Sequence, residues 1–524
     1  MDTYNNSSSA GVPAPSNFKG KIIPFNSSTE TFEEDEDSLS DEEKMQKLVS
    51  DILDDLPDGM APFSDVCNAH IFAVVYFGTV AYCPEEKTYL FFDGVKWCRD
   101  DENWTQTRQY AARVAEMIYT AASGYTEKDR RLAAKLQNTG KINAMLLMAE
   151  TNLCVSKESF DRNPMLINVK NGTIELLPTG YRFREHRAED YITLCADVDY
   201  KPIAKSPVFD EFLHSIMCVD APTETISDAE AETNDRADYL QRIIGYSLSG
   251  KKDEDCFFVF YGNGRNGKGV FVDTMETLFG DYATCASPKT ITAGQSARAG
   301  APSEDLAALC GRRFITVSET EKGMTLNEAL LKAATGRDKI TARYLYKGLF
   351  CFRMEGTIII NTNHLPVVSD PTIFATGRTI LLHFAHTFSE AEQDKSLREK
   401  LTTKGTKSAI LSWALEGYNK QLTQSVKNMP QSSRDAINAY WKMTENVGEY
   451  AEKELSKTGD VMSYVTTSEA YKDYVEWCRY KSYHSESTED FKKALTEQGM
   501  KIKRMTRKGC GKETVIFGFT LTTE

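Results

Sequence analysis

Residues 257–271 read FFVFYGNGRNGKGVF. Five apolar or aromatic residues run into Gly262-Asn263-Gly264-Arg265-Asn266-Gly267-Lys268-Gly269. Val270, Phe271, Met275 and Leu278 then recur at helical spacing before Gly280. A short, wholly apolar run suits a strand buried on both faces, and GxxxxGK between strand and helix is the spacing of a phosphate-binding loop. Glycines let backbone N–H groups converge on phosphate oxygens at the positive end of the helix. Lys268 adds a point charge for the β- and γ-phosphates. The expected cradle for ATP is therefore Gly262, Asn263, Gly264, Arg265, Asn266, Gly267, Lys268, Gly269 and Val270. One position departs from the pattern. A Ser or Thr hydroxyl that would ligate Mg²⁺ is expected after the lysine, and Gly269 stands there. Either water replaces that hydroxyl or the Mg²⁺ site is weak.

Three more strand-length apolar runs follow: FITV (314–317), TIIIN (357–361) and TILLHF (379–384), separated by helical or polar segments. This pattern predicts an α/β core around a parallel sheet. Glu319, at the end of the FITV strand and next to the loop strand, is the first choice to hold Mg²⁺ and polarise the attacking water; Glu321 is the second. Asn363, at the polar end of TIIIN, is placed to sense the γ-phosphate. Arg378, a lone guanidinium before TILLHF, is placed to act on a neighbouring copy's nucleotide. Between these, Ile340, Ala342, Tyr344 and Tyr346 alternate, as do Phe350, Phe352 and Met354, which predicts a β-hairpin with Lys347-Gly348 at its tip.

The flanks differ in character. Glu30 to Asp58 holds 13 acids against Lys44 and Lys47, so residues 1–63 read as an acidic, disordered tail. Residues 64–222 read as an α+β domain, with turns at Asp93-Gly94 and Asn171-Gly172 and helical periodicity over Thr105–Ala149. Residues 223–238 read as an acidic linker, 239–390 as the α/β core and 391–461 as a helical segment. Residues 462–524 form a basic module in which a helix (487–498) and a hairpin resemble a winged helix. Phe491 to Gly518 carries eight basic residues and two acids. Lys503, Arg504, Arg507 and Lys508 are its expected DNA contacts.

The chain has 524 residues and a net charge of −14. That balance argues against nucleic acid until its distribution is seen: −11 lies in Glu30–Asp58, and residues 59–524 carry −4. No apolar run approaches the ~18 residues of a membrane span. The 12 cysteines contain no CxxC and sit singly in apolar surroundings, so buried free thiols in a reducing compartment, the host cytoplasm, are expected over disulfides or zinc.

The loop GxGxNGK, VSETEKG, TGRDKITARYLY, IIINTNHLP and Arg378 follow one another in order. Together they resemble the superfamily 3 helicase region of phage and plasmid primase-helicases, a group related to the poxvirus primase-helicase. DRNPMLINVKNGTIEL, HRAEDYIT and YLQRIIGYSLSG resemble the N-terminal partner domain of that group. The resemblance spans about residues 65–420. It implies an AAA+ core, a hexameric ring and ATP-driven 3′–5′ movement on single-stranded or forked DNA. Residue by residue, Lys268 would bind phosphate, Glu319 would be the Walker B acid, Asn363 the sensor and Arg378 the arginine finger. Lys347, with Arg343 and Tyr346, would grip DNA in the channel. Only about 60 tail-like residues precede this region, so no intrinsic primer synthesis is expected, and a separate primase or initiator protein is an expected partner. The alternatives are a ring ATPase that loads or remodels replication proteins, and a non-catalytic initiator whose nucleotide is structural.

Overall fold

The computed structural model describes residues 39–219, 226–293, 303–318, 324–345, 348–366, 376–444, 446–458, 463–481, 483, 485–507 and 511–522. Part of the stretch expected to be a disordered tail is the helix α1 (Asp41–Asp54). A reciprocal cap starts it: Glu43 N donates to Ser40 Oγ, and Ser40 N donates to the Glu43 carboxylate. Asp41, Glu42 and Glu43 lie at its positive end, where carboxylates are favoured. Met45, Val49 and Leu53 form its buried stripe. They pack with α2 (Asp65–Val75), α3 (Thr105–Ala121) and α5 (Thr139–Ala149). α4 (Glu127–Lys135) lies between α3 and α5 in the chain, so Thr105–Ala149 divides into three helices.

β1 (Val80–Cys83), β2 (Thr88–Phe92) and β3 (Trp97–Arg99) are antiparallel, and Phe92 pairs with Trp97, so the turn expected at Asp93-Gly94 extends over Asp93 to Lys96. A second antiparallel sheet follows: β4 (Leu166–Val169), β5 (Gly172–Leu177) and β6 (Gly180–Arg184). Val169 pairs with Gly172, so its first turn is Lys170-Asn171, one residue earlier than expected. Ile167, Val169, Ile174 and Leu176 share one core with α6 (Pro207–Met217), α7 (Ile226–Leu248) and the central sheet. The boundary expected at 222 therefore divides a continuous core. The expected linker is also corrected from Ile226 onward: it is the first half of α7, where Thr233 and Arg236 are buried.

The central region runs β7 (Phe257–Tyr261), α8 (Lys268–Phe279), β8 (Ala283–Ala286), α9 (Glu304–Ala307), β9 (Phe314–Ser318) and α10 (Glu328–Thr335). It continues with β10 (Lys339–Arg343), β11 (Leu349–Arg353), β12 (Thr357–Thr362) and β13 (Thr379–His383). Five of these strands form a parallel sheet in the order β13-β7-β12-β9-β8. Phe258, Phe260, Ile359, Ile380 and Leu382 face the core shared with α6, α7 and α8. Phe257, Val259, Ile315, Val317, Ile358, Ile360 and Leu381 face a second core with α10 and the β10–β11 hairpin. Burial on both faces explains the unbroken apolar runs.

α11 (Leu397–Leu401), α12 (Lys404–Gln421) and α13 (Gln431–Thr444) follow. α12 crosses α7 backbone against backbone: a Cβ on Gly245 would overlap Tyr418 N and Gly417 C, and one on Gly417 would overlap Gln241 O. The C-terminal unit contains α14 (Asn446–Glu454), β14 (Leu455–Lys457), β15 (Tyr464–Thr466), α15 (Thr467–Lys481) and α16 (Thr488–Glu497). β16 (Ile502–Arg507), β17 (Gly511–Phe517) and β18 (Phe519–Leu521) complete it. Its sheet order is β15-β17-β16. Val447, Tyr450 and Leu455 lie in the same core as Tyr474, Phe491, Leu495 and Ile516. The unit thus begins at residue 446 rather than 462.

Candidate nucleotide site

β7 delivers the chain to the carboxyl edge of the sheet, where the loop turns back into α8. Gly262 has φ +150° and Gly267 has φ +77°. A Cβ on Gly262 would overlap the Phe384 carbonyl oxygen, and one on Gly267 would overlap Ile216 of α6. Both conformation and space therefore demand glycine. The segment after β13 closes the other side: Phe384 N donates to Tyr261 O at 2.8 Å and Phe388 N to Arg265 O at 2.8 Å. Gly267 caps α8 without a side-chain acceptor of its own, and at the first position Lys268 N donates to Asn266 Oδ1 at 3.3 Å. This is the arrangement that receives phosphate oxygens.

Lys268 is buried at the first position of α8. Its ammonium donates to Gly262 O at 2.8 Å, to Asn266 Oδ1 at 3.2 Å and to Asn363 Oδ1 at 3.2 Å. Burial pushes the ammonium down to about 8. Asn266 holds the loop from inside, since its Nδ2 donates to Phe384 O at 3.3 Å. Asn363 arrives from β12, the immediate neighbour of β7. After that strand, Thr362 Oγ1 and His364 bond each other, turning the chain at Asn363. The structure thus brings Lys268 and Asn266 of the loop together with Asn363, almost a hundred residues further along the chain.

Gly269 lies in open space: a Cβ built there would meet nothing within 4 Å. The loop and its lysine fit a polyphosphate. A Mg²⁺ ion finds no side-chain hydroxyl at position 269. Among the described residues, no cluster of three or more His, Cys, Asp or Glu side chains could hold a metal. Glu319 and Glu321 lie outside the described residues. Their strand does not adjoin β7 as expected: β12 intervenes, and Ser318 pairs with Asn361.

Arg378 precedes β13, with Thr379 opposite Phe257 at the amino edge of the sheet. The loop lies beyond the other end of β7, roughly 15 Å away at strand rise. Arg378 cannot reach its own chain's nucleotide loop. Its guanidinium donates to Lys332 O (3.3 Å), Thr335 Oγ1 (3.0 Å) and Asp255 (3.3 Å).

The hairpin expected around residues 340–354 is present as β10–β11. Arg343 ends β10, where its N–H donates to Ser303 Oγ at 3.0 Å. Tyr346 and Lys347 lie outside the described residues, as does Lys508. Lys503 and Arg504 are exposed on β16, and Arg507 ends that strand. Sequence reasoning missed the partners that close the loop: Phe212 and Ile216 from α6, and Phe384 to Phe388. They come from remote segments and carry no motif.

Two family models match parts of the chain. A family model described as D5 N terminal like matches residues 69–218, from α2 to the end of α6. A model described as a family of unknown function, DUF5906, matches residues 260–378. The chain is 25% identical over 243 residues to the protein named "Putative helicase L207/L206" of Acanthamoeba polyphaga mimivirus, covering 46% of this chain and 24% of that protein. It is 28% identical over 262 residues to "Putative helicase 022R" of Frog virus 3 (isolate Goorha), covering 47% and 26%. Over these residues the chain is primase-helicase-like, and the two relatives it matches are viral. The chain spans about a quarter of the length of either relative. Within the primase-helicase-like region, the second family match runs from Phe260 to Arg378 and so contains every described nucleotide-site residue except those that close the loop. A solved apo structure of the NrS-1 C terminal region aligns with TM-score 0.38 and 11% identity, covering 84% of this chain and 96% of that one. Among the described residues, no helix is long and apolar enough to cross a membrane.

Proposed function

We propose that this chain is an ATP-driven DNA helicase of a viral, phage, plasmid or mobile-element replication system. In this reading it has a superfamily 3, AAA+ core and assembles as a hexameric ring moving 3′–5′ on single-stranded DNA. The observation that carries the reading is the Lys268 ammonium, held between the Gly262 carbonyl and Asn363 Oδ1 at the ends of adjacent parallel strands. A polyphosphate entering the loop replaces those weak acceptors with full charges. Asn363 then lies beside the terminal phosphate. Glu319 is the proposed Walker B acid, with Glu321 as second candidate, and Mg²⁺ accompanies the nucleotide through water where Gly269 offers no hydroxyl.

The distance from Arg378 to its own loop supports a role on a neighbouring copy, which requires an assembly. Lys347, Arg343 and Tyr346 are the proposed channel contacts to DNA. In the C-terminal unit, the order helix, two strands, two helices, three strands, with β15 beside the β16–β17 hairpin, supports a winged-helix reading, with Lys503, Arg504, Arg507 and Lys508 towards duplex DNA. A separate primase or initiator and the host cytoplasm complete the proposal.

A strand-displacement assay on forked DNA, run beside an ATPase assay, tests it. Wild type should unwind and hydrolyse; Lys268→Ala should do neither. ATPase without unwinding would favour a loader or remodeller. Nucleotide binding without turnover would favour the structural-nucleotide reading, for which the missing hydroxyl at Gly269 is the one specific observation.

A further inference from the structure

The β10–β11 hairpin has two unlike faces. Ile340, Ala342, Phe352 and Met354 are buried in the core beside Leu331 and Ala334. The opposite face is turned to solvent and is built of three cross-strand rungs: Lys339 opposite Arg353, Thr341 opposite Cys351, and Arg343 opposite Leu349. Lys339, Thr341, Cys351 and Arg353 are all exposed. The first rung sets two cations directly across from each other, a pairing that repels in the free protein. Among the described residues, neither Lys339 nor Arg353 forms an ion pair with a carboxylate. Arg353 is instead steadied through Nε, which donates to the Arg337 carbonyl at 3.1 Å. That bond leaves the two terminal nitrogens of its guanidinium for a ligand. Arg337 is exposed beside this rung, with Asp338 the single acid between them in sequence.

A like-charge pair with no carboxylate paired to it offers a place for an anion between the two side chains. The Arg343 rung lies four residues further along the same face, roughly 13 Å away. One phosphate cannot span that gap, whereas a linear polyanion reaches both rungs. We infer that Lys339 and Arg353 form a phosphate clamp at the base of the hairpin, which holds a second phosphodiester of the single DNA strand gripped further towards the tip. The inference rests on the proposed DNA-translocating function and assigns two contact residues to it. The hairpin then presents a track, and a strand held at two rungs cannot pivot about a single contact.

The test uses the full chain and a fluorescein-labelled oligo-dT strand titrated with KCl. Each lost phosphate contact on single-stranded DNA lowers the slope of log K against log salt by about 0.7, so Lys339→Gln/Arg353→Gln should lower it by about 1.4. Affinity at 0.1 M salt should fall roughly tenfold or more. The melting temperature should match or exceed that of wild type, because the repulsion is gone. The swap Lys339→Arg/Arg353→Lys should keep the slope. Cys351, one rung away on the same face, should react with N-ethylmaleimide at least several-fold more slowly when oligo-dT is bound, while exposed Cys154 reacts unchanged. An unchanged slope in the Gln double variant, or equal Cys351 reactivity with and without DNA, would overturn the clamp while leaving the helicase reading intact. Loss of assembly at unchanged slope would give the cations to a protein neighbour and also overturn it. Wild type that binds no single strand would sink the helicase reading itself, and the clamp with it.

Discussion

Lys268 follows the end of β7 and Arg378 precedes the start of β13, so two cations stand at opposite edges of paired strands. Their surroundings differ in kind. At the carboxyl edge the loop is glycine-rich, the residue capping the helix is Gly267, and Lys268 is held by amide and carbonyl oxygens. At the amino edge the cations are fastened to the fold. Arg378 ties the end of α10 to Asp255. Arg313 donates to Leu248 O at 2.9 Å and stacks 4.6 Å over the Tyr282 ring. Lys252 donates to Thr357 Oγ1 at 2.9 Å, and burial pushes its ammonium down to about 7. Burial also raises Glu355 and Asp161 nearby. One edge holds its cation with neutral oxygens alone; the other ties its cations to carbonyls, hydroxyls, an aromatic ring and a carboxylate of the fold. The same sheet thus separates the proposed nucleotide site from a structural junction.

Removing each cation is the sharpest way to break this contrast. Lys268→Ala should reduce ATP hydrolysis by about 10³-fold, because a preorganised charge at the transferring phosphoryl group is lost. It should leave thermal stability unchanged or raised, since the alanine relieves a desolvated ammonium. Arg378→Ala should cost about 1 kcal/mol of stability, through the Lys332 carbonyl and Thr335 hydroxyl it leaves at the end of α10, because the half-exposed Asp255 is rehydrated. Nucleotide binding by the single chain should survive. If the guanidinium also acts across an assembly, hydrolysis by the assembled protein should fall about 10³-fold or more. Calorimetry and ATPase assays on both variants decide the matter. Stability loss with full hydrolysis in Arg378→Ala would confine that residue to the junction.

The contrast was only half legible in the sequence. The loop and the four apolar strands could be read because local spacing encodes them, and the 340–354 hairpin could be read by its alternation. Strand order could not: nothing in FITV or TIIIN says that β12 lies between β7 and β9. α1 was hidden because three apolar residues, Met45, Val49 and Leu53, are outvoted by surrounding acids, although Ser40 and Glu43 spell out its cap. The first half of α7 reads as a linker for a similar reason: its composition is polar and acidic, and its buried positions include Thr233 and Arg236. The anchoring of Arg378 depends on Asp255 and α10, which come near it only through the fold.

A smaller effect follows from the depressed Lys268 ammonium. In the free protein it titrates near 8, and a bound polyphosphate raises that value by charge pairing. Nucleotide binding is then coupled to proton uptake above pH 8. Affinity should be insensitive to this group below pH 8 and should weaken above it, by up to about tenfold per pH unit. Titrations of a fluorescent ATP analogue from pH 7 to 9.5 read this slope. Lys268→Arg, which stays protonated, should flatten it; an equal slope in that variant would move the titration to another group.

The smallest expected effect concerns the residue that departs from the loop pattern. Gly269 has no left-handed backbone requirement and open space where a side chain would begin. It differs in both respects from Gly262 and Gly267, at which any Cβ overlaps backbone or α6. Gly269→Ser should therefore fold well and gain about 0.5 kcal/mol of helix stability. It should also supply the hydroxyl that a nucleotide-bound Mg²⁺ otherwise replaces with water. The Mg²⁺ concentration giving half-maximal ATPase should drop several-fold, with little change in the rate at saturating Mg²⁺. If the requirement does not move, the cation is held from elsewhere, and the absence of a hydroxyl at 269 has no bearing on turnover.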